Sequence, residues 1–307
     1  MHVAIVLGLV SIVAIARSPV KLSGALSVIG ILLNGDFLLL CLPFEQIRGG
    51  AGVGRVFITG SSDGLGLMAA RLLIEQGHEV VLHGRNEGRS RDALAAAAGA
   101  RGAVTGDLST MAGARTVADQ VNKLGRFDAV IHNAGIGYRE GRVETEPGVP
   151  SIFAVNVLAP YILTALIEKP DRLVYLSSGM HHGVRLHMDD LLWTKRSWSG
   201  FSAYAESKLC DVLLAFAVAR RWKDVKSNAL EPGWVATKMG GPSAPDDLHL
   251  GCVTQAWLAT SEDELARSTG GYFYHQRPRV PNQIAADLSI QEELLAECGR
   301  TCGIPLD

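Results

Sequence analysis

The sequence predicts an α/β protein with a doubly wound parallel sheet, in a single domain that follows an apolar N-terminal extension. Three observations carry that expectation. From Arg55 onward short β-rich runs alternate with helix-periodic stretches, the first run ends in a glycine-rich turn, and no internal repeat or low-complexity linker interrupts residues 55–307. Strands that alternate with helices pair in parallel through crossover connections, which places helices on both faces of the sheet. With 48% hydrophobic and 20% charged residues among 307, the chain is long enough and apolar enough for a sizeable core. Its formal charge of −2 supplies no basic excess, which argues against a nucleic-acid partner.

Residues 56–59, 79–83, 103–105, 129–132, 173–176 and 227–230 read as strands, and stretches such as 65–76 and 112–124 carry helical periodicity between them. Residues 1–47 differ, being apolar with little charge. The run 3–16 holds 14 residues, short for a membrane span, while the run 22–42 holds 21 but includes Asn34 and Asp36. Neither has a charged leading region or a small-residue cleavage site, so secretion is not expected. Three accounts remain for this segment: a membrane anchor, apolar helices packed on the enzyme, or an over-long translated start. The anchor is preferred, with the domain at 55–307 on the cytoplasmic side; a soluble cytoplasmic protein is the alternative. Arg17, Lys21, Arg48 and Arg55 do not set an orientation. The five cysteines (Cys41, Cys210, Cys252, Cys298 and Cys302) are odd in number and form no CxxC pair, which suits free thiols in a reducing compartment rather than a zinc site or a disulfide framework.

The turn "TGSSDGLG", residues 59–66, lies between a strand-like run and a helix-like one. At a helix N-terminus, backbone N–H groups and the helix dipole favour an anion, and glycines permit close approach of a pyrophosphate. The spacing is G-x-x-x-G-x-G (Gly60, Gly64, Gly66), not G-x-G-x-x-G. By itself such a turn needs no ligand.

Further motifs follow in order: "HNAG" at 132–135, "FAVN" ending at Asn156, "LVYLSS" ending at Ser178, "YAESK" from Tyr204 to Lys208 and "PGWVAT" from Pro232 to Thr237. In this order and at these spacings they resemble the short-chain dehydrogenase/reductase family over about residues 55–270. The resemblance implies a Rossmann fold, a nicotinamide cofactor, and hydride transfer between that cofactor and a small-molecule carbonyl or alcohol. It also implies a catalytic group of Asn156, Ser178, Tyr204 and Lys208. Elementary chemistry agrees. Tyr204 and Lys208 are four residues apart and so share one helix face. A phenol ordinarily titrates near pH 10, and a nearby ammonium favours its ionised form, which suits general acid/base work. Ser178, at a strand end, is expected to donate a hydrogen bond to the substrate oxygen, whereas the neighbouring Ser177 should point to the other side of the strand. By resemblance, Lys208 also contacts the nicotinamide ribose and Asn156 supports a water-linked proton path.

Cofactor choice follows from the end of the second strand, "VVLHGRN". NAD-dependent relatives usually carry an acidic residue there to hold the ribose hydroxyls. Here the matching position is Gly84, followed by Arg85 and Asn86, and a guanidinium suits a 2′-phosphate. The expected cofactor is therefore NADP (NADPH) rather than NAD, although Asp63 stands where some NADP-dependent relatives place a base. The resemblance puts Ser62, Asp63 and Leu65 with the three glycines at the pyrophosphate. It puts Asp107 and Leu108 at the adenine, Asn133, Ala134 and Gly135 at the adjoining ribose, and Pro232, Gly233, Val235 and Thr237 at the nicotinamide end.

Ser178 and Tyr204 are 26 positions apart, about twice the family's common separation, and the long His-containing segment between them resembles the retinol-dehydrogenase-like branch. His181, His182 and His187 do not have a strong metal-ligand spacing, and no metal is expected. Met188, Trp193, Trp198 and Phe201 could line an apolar pocket for a lipophilic substrate or could anchor the loop. The following "LCDVLLAFAVA" is apolar nearly all round, a helix buried more thoroughly than a surface one, and relatives use it for homodimer contact. The rival to an oxidoreductase is a catalytically silent NADP-binding sensor or scaffold on the same fold. Sensor relatives commonly lose the tyrosine or lysine, and this chain keeps both.

Overall fold

The computed structural model describes residues 26–33, 36–43, 52–139 and 141–306. The chain divides into two compact units, Met1–Gly52 and Val53–Asp307. In the first, β1 (Leu26–Leu33) and β2 (Asp36–Pro43) pair antiparallel, from Leu26 opposite Pro43 to Leu33 opposite Asp36. Paired strands thus occupy most of the run 22–42, one of the two apolar runs the sequence offered for an anchor. The sequence between the strands is Asn34-Gly35, the dipeptide that two-residue hairpins favour. The run 3–16 lies outside the described residues. Among the described residues no helix is long and apolar enough to cross a membrane.

The second unit is built on an eight-stranded sheet. Its strands are β3 (Arg55–Ile58), β4 (Glu79–Gly84), β5 (Gly102–Thr105), β6 (Ala129–His132), β9 (Arg172–Leu176), β10 (Lys226–Glu231), β11 (Tyr272–Tyr274) and β12 (Arg277–Pro278). A short hairpin, β7 (Glu144–Glu146) with β8 (Val149–Pro150), stands apart from it. The spatial order is β12-β11-β10-β9-β6-β3-β4-β5, parallel throughout except for β12. All the strands read from the sequence are present. The three-residue β11 and two-residue β12 extend the sheet beyond them, too short to show an alternating pattern.

Alternation along the central strands sorts their side chains into two cores. Phe57, Val81 and Val130 enter one cluster while Val56, Ile58, Val80 and Leu82 enter the other. Helices α1 (Gly64–Glu75), α2 (Glu87–Ala96) and α6 (Leu248–Thr260) cover the second face through Ala69, Leu73, Ala93 and Ala256. The first face is covered by α3 (Met111–Lys123), the helical stretch α4 (residues 151–166), α5 (Gly200–Arg221) and α7 (Leu288–Cys302). From Ala203 to Ala219, α5 is buried everywhere but Phe216, and Leu294, Leu295 and Cys298 of α7 share its cluster. The chain itself therefore buries α5, and its apolar character is no argument for a second copy. Strand order reverses at β3 and β6, which leads β4 and β5 one way and β9 to β11 the other. The crevice outside the carboxyl ends of such strands is where open α/β sheets bind ligands.

Candidate active site

Across that crevice runs a cavity of about 1250 Å³ that joins the glycine-rich turn to Tyr204 and Lys208. Backbone geometry explains the glycines of the turn. Gly60 has φ +62°, and a Cβ there would stand 2.8 Å from the Cα of Ala134. Gly64 has φ +54° and open space where a Cβ would point. Gly66 is buried behind the turn, where a Cβ would run into the side chain of Asn133 and stand 2.7 Å from Gly60 O. The turn is braced from three sides. Asn133 Nδ2 donates to Thr59 O at 3.0 Å and to Gly60 O at 3.2 Å. His83 Nδ1 accepts from Gly60 N at 2.9 Å, while its Nε2 lies 2.9 Å from Gly106 O. Burial holds His83 below its usual pKa, so the ring is the neutral donor–acceptor these contacts need. Ser61 Oγ accepts from His83 N at 2.8 Å and donates to Ile58 O at 2.9 Å.

The cradle fits a dinucleotide. Asp63, the N-cap of α1, makes no side-chain cap, which leaves first-turn N–H groups without that acceptor. The buried Oδ1 of Asn133 has no partner among the described residues. Ser62, Asp63, Gly64 and Leu65 line the cavity on one side, and Asn133, Ala134 and Gly135 on another. Arg85 lines it too, is exposed, and forms no hydrogen bond or ion pair among the described residues. Asp107 and Leu108 lie along the same rim. Asp63 draws in two cations that the sequence did not single out: Arg89 Nη2 at 2.6 Å and Lys238 Nζ at 2.9 Å. Burial works against the Asp63 charge, but the bonds from Lys238 and Arg89 outweigh it and hold the carboxyl below its usual range. Two expected cofactor residues do not line the cavity. Gly66 acts as a spacer behind the turn, and Asn86 spends its side chain capping α2, accepting from Arg89 N at 2.9 Å.

At the other end Ser178, Tyr204 and Lys208 line the cavity together, as do Pro232, Gly233, Val235 and Thr237. Ser178 follows β9, and its Oγ accepts from Met180 N at 3.3 Å. Ser177 lines the cavity as well, but its Oγ donates to Lys208 O at 2.6 Å. Lys208 Nζ is 5.8 Å from the centre of the Tyr204 ring and donates to Leu176 O at 2.8 Å and to Asp211 Oδ2 at 2.9 Å. Asn156 does not line the cavity. It sits in a π-turn, Ala154–Leu158, where Oδ1 accepts from Ile136 N at 2.9 Å and Nδ2 donates to Ile136 O at 3.1 Å and Ser207 Oγ at 2.9 Å. Through these bonds its amide holds the strand-end loop against α5.

The segment between Ser178 and Tyr204 packs on itself. His181 Nδ1 lies 2.7 Å from Ser178 O and its Nε2 accepts from Asn282 N at 3.2 Å. His182 lies beside it, the two rings tilted by 36° with centres 4.1 Å apart. Among the described residues no cluster of His, Cys, Asp and Glu could hold a metal ion. Trp193 and Trp198 anchor the loop in a small cluster with Ile152 and Ala203 and do not line the cavity. Phe201 is exposed and meets Tyr138 edge-on at 5.7 Å, while Met188 packs on the core. The sequence reading also missed Glu231, a buried carboxylate at the end of β10 that is bonded to Arg279 and faces the cavity.

A parallel sheet with a dinucleotide crevice, and a tyrosine–lysine pair opening into it, defines a nucleotide-dependent oxidoreductase. The short chain dehydrogenase family model matches residues 55–180. A short-chain dehydrogenase of Gibberella zeae, chry4, is 41% identical over 256 residues, 82% of this chain and 98% of that protein. Retinol dehydrogenase 13 of Homo sapiens is 30% identical over 287 residues, 81% of this chain and 84% of that one. The solved structure of an uncharacterised protein from Mycobacterium paratuberculosis shares the fold, with a TM-score of 0.73 at 24% identity over 85% of this chain and 98% of that one. This chain belongs to the short-chain dehydrogenase/reductase family and is an NAD(P)-dependent oxidoreductase acting on CH–OH groups.

Proposed function

We propose that the protein uses NADPH to interconvert an apolar carbonyl compound and its alcohol. The observation that carries this reading is the single cavity, with an anion cradle and Arg85 at one end and Ser178, Tyr204 and Lys208 at the other. When bound, the reduced nicotinamide supplies the hydride. Ser178 donates a hydrogen bond to the substrate oxygen and holds it, and Tyr204 delivers the proton that completes the alcohol. The Lys208 ammonium stabilises the phenolate left behind, and the reverse transfers serve oxidation. Asn156 positions these groups by fixing Ile136 and Ser207, and by resemblance it supports the water-linked path that returns a proton to Tyr204. Arg85, at the end of β4 with no carboxylate beside it at Gly84, favours the cofactor with a 2′-phosphate.

An apolar substrate is supported by the rim. Tyr138, Val143, Trp234 and Met239 all line the cavity and are all exposed large apolar side chains. Exposed apolar surface gathered at a concave site marks a ligand surface. The test is a panel of aldehydes, ketones and alcohols followed by reduced-cofactor absorbance, with NADPH and NADH in parallel. NADPH-dependent turnover that rises with substrate hydrophobicity is expected. Tight NADPH binding with no turnover of any member would instead identify a silent nucleotide-binding protein.

A further inference from the structure

Helix α5 brings a second ionisable group against the lysine. Lys208 and Asp211 are three residues apart on one helix face, with 5% and 3% of their side chains exposed and 2.9 Å between Nζ and Oδ2. An ammonium has three protons to donate. Asp211 takes one and Leu176 O takes another, so one remains for the cavity that Lys208 lines. The cation behind Tyr204 is therefore half of a buried ion pair.

We propose that Asp211 is a positioning residue that acts through Lys208: it aims the ammonium at the cavity and, as a buried counter-ion, sets the pH at which Tyr204 exchanges its proton. The proposal rests on the reading of Tyr204 as the proton donor. A buried ion pair attracts a phenolate less than a lone ammonium does, because the carboxylate opposes the lysine at short range.

Among the described residues, Tyr175 and Cys210 also sense the Asp211 charge, and both stay neutral near neutral pH. Tyr175 approaches from β9, and burial, with the Asp211 charge, holds its hydroxyl protonated well above the usual range even though Thr164 opposes this. Behind it stands His132 of β6, its ring centre 4.7 Å from that of Tyr175 and its pKa pushed down to about 3 by burial. Thr164 of α4 joins the two, 2.7 Å from Tyr175 Oη and 3.1 Å from His132 Nε2. Cys210, beside Asp211 on α5, is held as a thiol by burial, Cys298 and Asp211. That leaves Lys208 as the cation answering the carboxylate. Burial pushes Asp211 up to about 6 against the pull of Lys208, and Asp211 and Tyr204 keep Lys208 above its usual value in spite of burial.

Asp211→Asn keeps the shape and an acceptor for Lys208 while removing the charge. In the full-length protein, the alkaline limb of the pH–rate profile for NADPH-dependent carbonyl reduction reports loss of the Tyr204 proton. In the variant that limb should move to lower pH by about one unit. A profile that superimposes on the parent's would overturn the proposal. So would a fall in rate at every pH with an unmoved midpoint, which a merely structural role would produce. Should the variant be insoluble, the parent protein with ¹³C-labelled aspartate decides: the Asp211 carboxyl, assigned through its backbone, should be ionised throughout the pH range of the alkaline limb. A carboxyl still protonated in that range refutes the counter-ion role. Absence of turnover with every carbonyl would count against the reading of Tyr204, while the carboxyl titration would still report on the pair.

Discussion

Arg85 faces the cavity with no partner among the described residues, and Arg89 and Lys238 share a half-exposed carboxylate, Asp63. At the Tyr204 end the two cations that line the cavity are each matched by a buried acid, Lys208 by Asp211 and Arg279 by Glu231. One end of the site keeps positive charge available to a ligand, and the other neutralises it internally. A polyanionic cofactor answers the first arrangement. A neutral substrate suits the second, since a charged one would compete with ion pairs whose partners cannot be left unpaired without a large cost.

The largest expected effect breaks the chemistry while sparing the anion cradle. Tyr204→Phe keeps the ring and removes the transferable proton, so turnover should fall by roughly 10²- to 10⁴-fold with NADPH affinity preserved. Ser178→Ala should be severely impaired and Ser177→Ala mild, because Ser177 Oγ is committed to Lys208 O. Steady-state kinetics beside fluorescence titration of NADPH separates the cases; the reverse order of the two serines would mean that the oxygen is held differently.

A second test asks whether the buried acids near the substrate end are scaffolding. Asp190 accepts from the backbone N–H groups of Thr194, Lys195 and Arg196 at 2.7, 3.1 and 3.0 Å, and the Arg196 guanidinium reaches both it and Glu206. Burial opposes ionisation, but those donors outweigh it and hold the Asp190 carboxyl well below its usual range. A group whose folded pKa is depressed stabilises the fold fully above its unfolded value, near pH 4, and loses that contribution as pH falls toward the folded value. Asp190→Ala should therefore cost about 3–5 kcal/mol of stability at neutral pH, and the difference from the parent should shrink as the solution is acidified. Denaturant titrations at several pH values would read it. A pH-independent difference would show that lost packing, not charge, is responsible.

The nucleotide end predicts a smaller and more selective effect. Arg85→Ala should weaken NADPH more than NADH, because only the former carries the 2′-phosphate. The loss of a charge-assisted hydrogen bond costs about 1.5–3 kcal/mol, or roughly 10- to 150-fold in affinity. Equal losses for the two cofactors would move that role to Arg89 or Lys238.

How much of this was legible follows from sequence distance. The glycine turn and the Tyr204–Lys208 pair are local: one is dictated by backbone conformation, the other by a helix repeat, and both stand within a few residues. Arg89 and Lys238 reach Asp63 from 26 and 175 positions away, and Arg279 reaches Glu231 from 48, separations that no local period encodes. Asp211 is different. An acid inside the nearly all-apolar "LCDVLLAFAVA" is a local sign of a buried partner, and Lys208 lies three residues before it. The Asn34-Gly35 pair between two apolar runs was a similar sign of a hairpin, overshadowed by a run long enough to suggest a span. Asn156 was found by its motif, but the commitment of its amide to Ile136 and Ser207 depends on folding.

The smallest effect is expected where the comparison ends, at the first unit. Both ends of the cavity, both faces of the sheet and every group named in the chemistry come from residues after Val53. Val56, Phe57 and Ile58 of β3, the strand nearest the first unit in sequence, are fully buried between β4 and β6. A chain that begins at Gly49 should therefore be soluble, melt within a degree or two of the full-length protein, bind NADPH and retain turnover. Thermal unfolding and NADPH titration of the two chains side by side check this. Failure of the shortened chain to fold would mean that the apolar leader contributes to the stability of the catalytic unit and is not an appendage to it.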